Sequence, residues 1–434
     1  MGNPNRYSFI RPEKSPFFYG YFIVFLGTLG ILTSVPGQTI GVGTFTDPVK
    51  DALGLSRDQI SIAYFVGTFI SSLFLHKAGV WFDKFGARWV AFFAAVGLAF
   101  SLVLCSEADT ISTSLSAFLN IQHFLIPAFV ITLLFFMLRF SGQGVLTLAS
   151  RNMIMNWFDQ LRGRVNAISA IAVSLGFSAS PLWISKLIDG VGWKNAWLYM
   201  AASVIVFAVI FLQFFRNSPE QHHLLPDGKA LSSKKNNTTK EEQKQYTLTE
   251  AKKTRAFWMY SLSLSFYSFF VTGLTFHIIS VFESVGYAKE QAVAIFIPMS
   301  IVTVAVSLIA NYISDWIKLQ YLLYLNIVGG IIAALGLMFL ANPAGMYLLI
   351  AGCGLMGGLF SVLIAVTWPR FFGRKHLGAV SGKSMSMIVL ASAIGPVLFS
   401  FSNTFFSTFA GIGLLALVFL LGIAIVSRKA INPQ

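Results

Sequence analysis

The stretch GVWFDKFGARW, Gly79 to Trp89, decides how the rest of the chain is read. It sets Asp83, Lys84 and Arg88 between two long runs, 58–77 and 89–107, that carry almost no charge. Two apolar runs of that length joined by a short charged turn are the pattern of two spanning helices and their connection, because crossing a bilayer takes about 20 apolar residues. Gly79 and Gly86 bracket the acid and permit a tight turn and close backbone approach.

Working outward, ten more such runs follow from the same criterion: 17–42, 124–150, 165–187, 196–215, 257–282, 291–313, 320–341, 345–367, 379–402 and 407–427. The runs are continuously apolar rather than alternating, which favours helices over a barrel. Composition agrees. Of 434 residues 56% are hydrophobic and 11% charged, whereas a soluble domain carries about 25% charged residues. The reading is therefore an all-α polytopic membrane protein with twelve transmembrane helices and both termini cytosolic.

The net charge of +14 raises the question of nucleic acid, and its distribution answers it. With the N-terminus inside, the outer connections hold only Lys50, Arg57, Lys186, Lys194 and Lys289. Nearly all other bases fall in inner connections and tails, which is the positive-inside pattern of a membrane protein. No nucleic-acid partner is expected. Cys105 and Cys353 stand alone in apolar runs, so neither a disulfide framework nor a metal site is expected. No cofactor motif or catalytic grouping is present, and the protein is not expected to be an enzyme.

Residues 216–256 form the only long polar segment. They divide the chain into a cytosolic tail (1–16), a six-helix bundle (17–215), a cytosolic linker (216–256), a second six-helix bundle (257–427) and a short cytosolic tail (428–434). A short amphipathic helix is expected around 247–256. Weak repetition supports two parallel halves. NYISDWIKLQ, 311–320, sits where GVWFDKFGAR sits in the first half, aligning Asp315 with Asp83. Pro181 and Pro396 close similar small-residue stretches in the fifth and eleventh spans.

Gly79, Asp83, Gly86 and Arg88 match the G-x-x-x-D-x-x-G-x-R loop of the major facilitator superfamily, and LRFSGQG, 138–144, resembles that superfamily's fourth-helix pattern with Arg139 and Gln143-Gly144. The resemblance covers the whole chain and implies two six-helix bundles that transport by alternating access. It implies a gating role for Gly79, Asp83, Gly86, Arg88 and Asp315, with each acid bonding to a helix N-terminus or a base when the inner mouth is shut. In the second loop Asn311, Lys318 and Gln320 replace the Gly, Gly and Arg. Two further stretches, 157–176 and 371–382, look like the monocarboxylate-porter and oxalate–formate-exchanger groups. The eighth span, however, has no Asp or Arg, so the coupling residues of those groups have no counterpart.

All 17 acids lie in tails, loops or helix ends, whereas Arg139, Arg151, His277 and Lys383 lie within spans. Intramembrane charge is costly and marks function by default. A basic interior without carboxylates points to a small organic anion, monocarboxylate- or dicarboxylate-like, and away from cationic substrates. Arg139 and Gln143, four apart, share a helix face and are candidates to hold it. Lys383, His277, Gln38 and Tyr64 are further candidate contacts, the last two at an outer mouth. Arg151 is expected to snorkel to the cytosolic surface. His277 is also a candidate proton carrier. Partners implied are the anion, protons or a counter-anion, and the bilayer; a monomer in a bacterial inner membrane is expected. Two other classes compete: an exporter of amphipathic or hydrophobic compounds, and a transport-inactive sensor on the same fold.

Overall fold

A computed structural model describes residues 12–121, 123–228, 244–406 and 409–434. The tail expected over 1–16 and the linker over 216–256 fall partly outside the described residues. Among those described, every regular element is helical.

The first half contains α1 (Tyr19–Thr33), α2 (Thr39–Leu53), α3 (Arg57–Ser106), α4 (Ala108–Leu119), α5 (Leu125–Leu138), a π-helical segment (Arg139–Leu146), α6 (Thr147–Trp157), α7 (Arg162–Val191) and α8 (Trp193–Phe214). The second contains α9 (Leu248–Lys252), α10 (Arg255–Glu283), α11 (Lys289–Ala294), α12 (Phe296–Ser314), α13 (Leu319–Met338), α14 (Pro343–Phe372), α15 (Leu377–Phe406) and α16 (Ala410–Ser427). The short α9 is the helix expected near 247–256. Thr247 caps it, accepting from the Glu250 amide while Glu250 accepts from the Thr247 amide.

Among the described residues, ten helices are long and apolar enough to cross a membrane. The count differs from twelve for two reasons. First, α3 runs for 50 residues, about 75 Å at 1.5 Å per residue, more than twice the hydrocarbon thickness. It holds both expected spans 58–77 and 89–107, broken at Gly86, whose φ of 80° and ψ of 168° are not helical. Second, the expected span 17–42 is not one helix. It stops at Thr33, makes a 3₁₀ turn over Val35–Gly37 and restarts at Thr39. Pro36 lacks an N–H and Gln38 is extended, so an unbroken α-helical ladder cannot continue there.

The chain forms two compact units. The first comprises residues 1–159, 172–241 and 381–385; the second comprises 160–171, 242–380 and 386–434. In the first, α3 packs on α5 and α8, and α1 on α6; in the second, α14 packs on α12 and α13, and α13 on α16. Each unit thus has one long helix, α3 or α14, that buries more residues than any other helix in it. In α14 the buried side includes Gly352, Gly354, Gly357 and Gly358, which lets neighbouring backbones approach.

Candidate functional site

The π-helical segment RFSGQGVL is the local feature around which a site forms in the first unit. Its i→i+5 bonding inserts an extra residue, a distortion that recurs at functional sites. Two faces result. Phe140, Ser141 and Val145 line an apolar cavity of about 490 Å³ together with Trp81, Phe85 and Trp89. Arg139, Gly142 and the following Thr147 turn instead toward the break in the first span. Contact there is backbone on backbone: a β-carbon on Gly37 would come within 2.5 Å of Leu138 O and 2.8 Å of Gly142 Cα.

Arg139 is 1% exposed. Its Nη1 donates to Gly37 O at 3.2 Å and to Thr39 Oγ1 at 3.1 Å. Non-helical backbone in a bilayer survives only where its polar groups find partners, and Arg139 supplies one for the Gly37 carbonyl. Its Cζ stands 5.3 Å from the centroid of the Tyr64 ring, a cation–π contact, while Tyr64 donates its hydroxyl to Thr39 Oγ1 at 3.0 Å. The other guanidinium donors, Nε and Nη2, are buried and have no hydrogen-bond partner among the described residues. A buried unmet donor costs about 1–3 kcal/mol, more on a charged group.

Gln38 lies at the same break but is only 8% exposed. Its Nε2 reaches Ser34 Oγ at 2.8 Å and Thr147 Oγ1 at 3.1 Å. It braces the break internally rather than lining an outer mouth. Gln143 follows Arg139 on the π segment, and its Oε1 is buried without a partner among the described residues. The fold thus brings Gln38, Tyr64, Arg139 and Gln143 to one place. His277 is elsewhere, in the second unit. Its Nε2 lies 2.9 Å from Pro396 O, and its ring stands near Phe399 and Phe409. Lys383 belongs to the first unit, half-buried, and Arg151 on α6 is half-buried as well. Among the described residues, neither they nor Arg139 is ion-paired.

The residues proposed for gating show their local chemistry. At Gly86 the positive φ excludes other residues, and the space of a β-carbon is filled by the Asn217 side chain. Arg88 donates its amide to Asn217 Oδ1 and its Nε to Leu212 O at the end of α8, so it ties the turn to a helix C-terminus. Asp83 is half-buried. Gly79 meets Gly382 backbone to backbone, a β-carbon on Gly382 falling 2.9 Å from Gly79 Cα. Asp315 caps α7: it accepts from the Gly163 amide at 2.7 Å and the Arg164 amide at 3.3 Å, with Arg164 Nε at 3.8 Å. Burial pushes its carboxyl above the ordinary value, against the pull of those amides. Asn311, the residue in place of the loop glycine, is buried and accepts from Asn166 Nδ2 at 2.7 Å while donating to Ser307 O at 2.8 Å.

The family model of the Major Facilitator Superfamily matches residues 17–396. The chain belongs to the major facilitator superfamily. It is thus an integral membrane transporter and not an enzyme. As a superfamily member it is similar, at 22% identity over 209 residues, to the hexuronate transporter of Bacillus subtilis (strain 168), covering 46% of this chain and 43% of that protein. It is 20% identical over 202 residues to a probable sulfoacetate transporter of Cupriavidus necator, covering 46% and 40%. The chain therefore matches less than half the length of either relative. Among solved structures it resembles the E. coli fucose:proton symporter FucP (TM-score 0.61, 13% identity, 95% of this chain and 99% of that one). It also resembles the proton:xylose symporter XylE (TM-score 0.61, 16% identity, 94% of each). At these identities the structures establish the fold. The names of these four relatives do not repeat the resemblance to monocarboxylate porters and oxalate–formate exchangers.

Sequence reasoning missed the helix break and the π segment, and with them Ser34, Thr39 and Thr147 as neighbours of Arg139. The signals were present as Pro36-Gly37 inside an apolar run and as Gly142 and Gly144 flanking Gln143.

Proposed function

We infer that this transporter moves a small organic anion by alternating access, with Arg139 as the principal anion-binding residue. The observation that carries the reading is the guanidinium itself. It is fully buried, its Nη1 is spent on Gly37 and Thr39, and its Nε and Nη2 lack acceptors. A carboxylate or sulfonate supplies two oxygens in the geometry of that edge. Arg151 and Lys383 add positive charge with no ion-pair partner among the described residues. The substrates for which the two distant relatives are named, a hexuronate and sulfoacetate, are both anions, which supports the class without fixing the member. Gly79, Asp83, Gly86, Arg88 and Asp315 act in this proposal as gating residues. Asp315 bonded to the start of α7 stabilises one of two conformations. His277, already bonded to Pro396 O, is a weaker candidate for substrate or proton handling. A bacterial inner membrane remains the proposed location.

Proteoliposomes loaded with and without internal carboxylate test the reading. Saturable uptake or exchange of labelled carboxylates, lost in Arg139→Ala, supports it. Extrusion of hydrophobic cations without anion flux would replace it with the exporter reading. Ligand-induced stabilisation without any flux would replace it with the sensor reading.

A further inference from the structure

The other face of the π segment frames the apolar cavity of about 490 Å³, within the range of about 300–1,000 Å³ typical of small-ligand sites. The cavity lies across the break in α3: Trp81 and Phe85 precede Gly86, and Trp89 and Phe93 follow it. These four side chains are between 42% and 64% exposed, so the cavity is a groove open at the protein surface. Phe140 and Ser141 of the π segment complete it, Phe140 meeting the Trp81 ring edge-on at 6.2 Å. Ser141 is the one lining residue that is neither aromatic nor aliphatic.

In a bilayer such a surface meets lipid tails. An apolar lining alone selects poorly among lipids, because every tail is as apolar as the side chains it touches. Selection falls to the headgroup, and the charge set on this groove is positive. Lys84 Nζ stands 5.2 Å from the centroid of the Phe85 ring, and Arg88 Cζ stands 5.9 Å from that of Trp89. Each cation thus rests on a ring that lines the groove. Lys84 is exposed, and Arg88 is half-buried with its Nε on Leu212 O. The neighbouring acid, Asp83, is half-buried and is not among the lining residues. Trp81 and Trp89 flank the charged turn, as amphipathic rings do at the membrane–water boundary. The turn is an inner connection by the distribution of bases, and the inner leaflet is the one that carries anionic lipid.

We propose that this groove binds an anionic glycerophospholipid, with an acyl chain against Trp81, Phe85, Trp89 and Phe93 and the phosphate held by Lys84 and Arg88. The site does not depend on which substrate Arg139 takes. A lipid seated there packs on Phe140, the residue next to Arg139, so the lipid site and the arginine share one distorted helical turn. A basic residue beside an anionic headgroup shifts the lipid equilibrium about fivefold, and two of them set the selectivity expected here.

The test reconstitutes the full-length protein in phosphatidylcholine vesicles that contain a trace of either phosphatidylglycerol or phosphatidylcholine with a photoactivatable group in the acyl chain. Labelled peptides are then mapped by mass spectrometry. The expected result is labelling of residues 81–93 and 140–145 that is at least tenfold stronger with the phosphatidylglycerol probe. In Lys84→Gln, a change at an exposed side chain, that preference falls about fivefold. Ser141→Phe, which fills the groove from the π segment, reduces labelling of these peptides by both probes. Equal labelling by the two probes in the wild type overturns the proposal and leaves an unselective lipid surface. A preference unchanged in Lys84→Gln, or labelling unchanged in Ser141→Phe, overturns it as well. So does protection of these peptides from both probes together with cross-linked dimers, which would assign the groove to a second copy of the chain.

Discussion

Replacing Arg139 by methionine separates a binding role from a structural one, because the two make opposite forecasts for the empty protein. Methionine keeps a long flexible side chain and removes the charge. The loss is two hydrogen bonds from Nη1, at 3.2 and 3.1 Å, worth about 1.5–3 kcal/mol each for a charged donor, and the cation–π contact with Tyr64, worth about 0.5–2 kcal/mol. The gain is relief of two unmet buried donors, Nε and Nη2, at about 1–3 kcal/mol each or more. The two sums nearly cancel, and the desolvation cost of an unpaired buried charge tips the balance toward the variant. The unliganded Arg139→Met protein should therefore melt within a few degrees of wild type, or above it. Its ligand response should vanish. A carboxylate on Nε and Nη2 makes two charge-assisted bonds, together about 3–6 kcal/mol, so affinity falls by about 10²–10⁴-fold. The ligand-dependent rise in melting temperature, worth about 2.7 kcal/mol at a hundredfold excess over Kd, then disappears. Thermal melts with and without carboxylate, paired with uptake in proteoliposomes, measure both quantities. An unliganded variant destabilised by well over 3 kcal/mol would refute the reasoning, since Arg139 would then be a strut between the helix break and the π segment.

Three further outcomes follow from local geometry. Asp315→Ala removes the cap on α7, a loss of about 0.5–2 kcal/mol; hydrogen exchange at the Gly163 and Arg164 amides should accelerate by about 2- to 30-fold, and unchanged exchange would mean the cap is unimportant. Gly86→Ala forces a β-carbon onto Asn217 at a φ of 80° and should lower the melting temperature; adding Asn217→Ala should recover the steric part of the loss but not the part due to φ. Between the starts of α4 and α8, Lys194 Nζ stands 2.6 Å from Asp109 Oδ2. Partial burial alone would raise the Asp109 carboxyl, but Lys194 and the Thr110 amide together hold it below the ordinary value. A depressed carboxylate adds stability above its unfolded pKa of about 3.9 and loses it as pH falls through the folded value. The pair is partly exposed, so its contribution is about 0.2–1 kcal/mol. Melting curves of wild type and Lys194→Met should differ slightly at pH 7 and converge near pH 3; a gap that persists in acid would assign it to packing.

The spans were legible because bilayer thickness and apolar run length are the same physical quantity. The run 17–42 is apolar enough to cross, yet it hides a break, because hydropathy counts side chains and the break is made by Pro36, Gly37 and an extended Gln38. Similarly, Arg139 and Gln143 could be placed on one face from their spacing, but not on a π segment, which depends on what packs against Gly142. Gln38 reads as a free polar group in sequence; only the fold shows its amide bonded to Ser34 and Thr147. Asn311 departs from the loop glycine of its counterpart, and its consequence, a buried bond to Asn166, required a residue 145 positions away.

The arrangement of Arg139 also bears on how an anion could drive a conformational change under the proposed function. A ligand shifts an equilibrium only by the difference in its free energy of binding to the two states. Arg139 holds the break in the first span through Nη1 and offers the anion its opposite edge, so one planar group joins substrate to helix geometry. Neutralising the guanidinium on the Nε–Nη2 side reduces the cost of keeping it buried only where the Gly37 carbonyl and Thr39 hydroxyl are also in reach. A state in which α1 and α2 have moved relative to the π segment would lose those contacts and bind the anion less well. A difference of about 2.8 kcal/mol changes a ratio of states a hundredfold, and that is the size of one charged hydrogen bond. Coupling of that magnitude needs no carboxylate inside the membrane, which fits expected spans that carry acids only at their ends, Asp58 and Glu107.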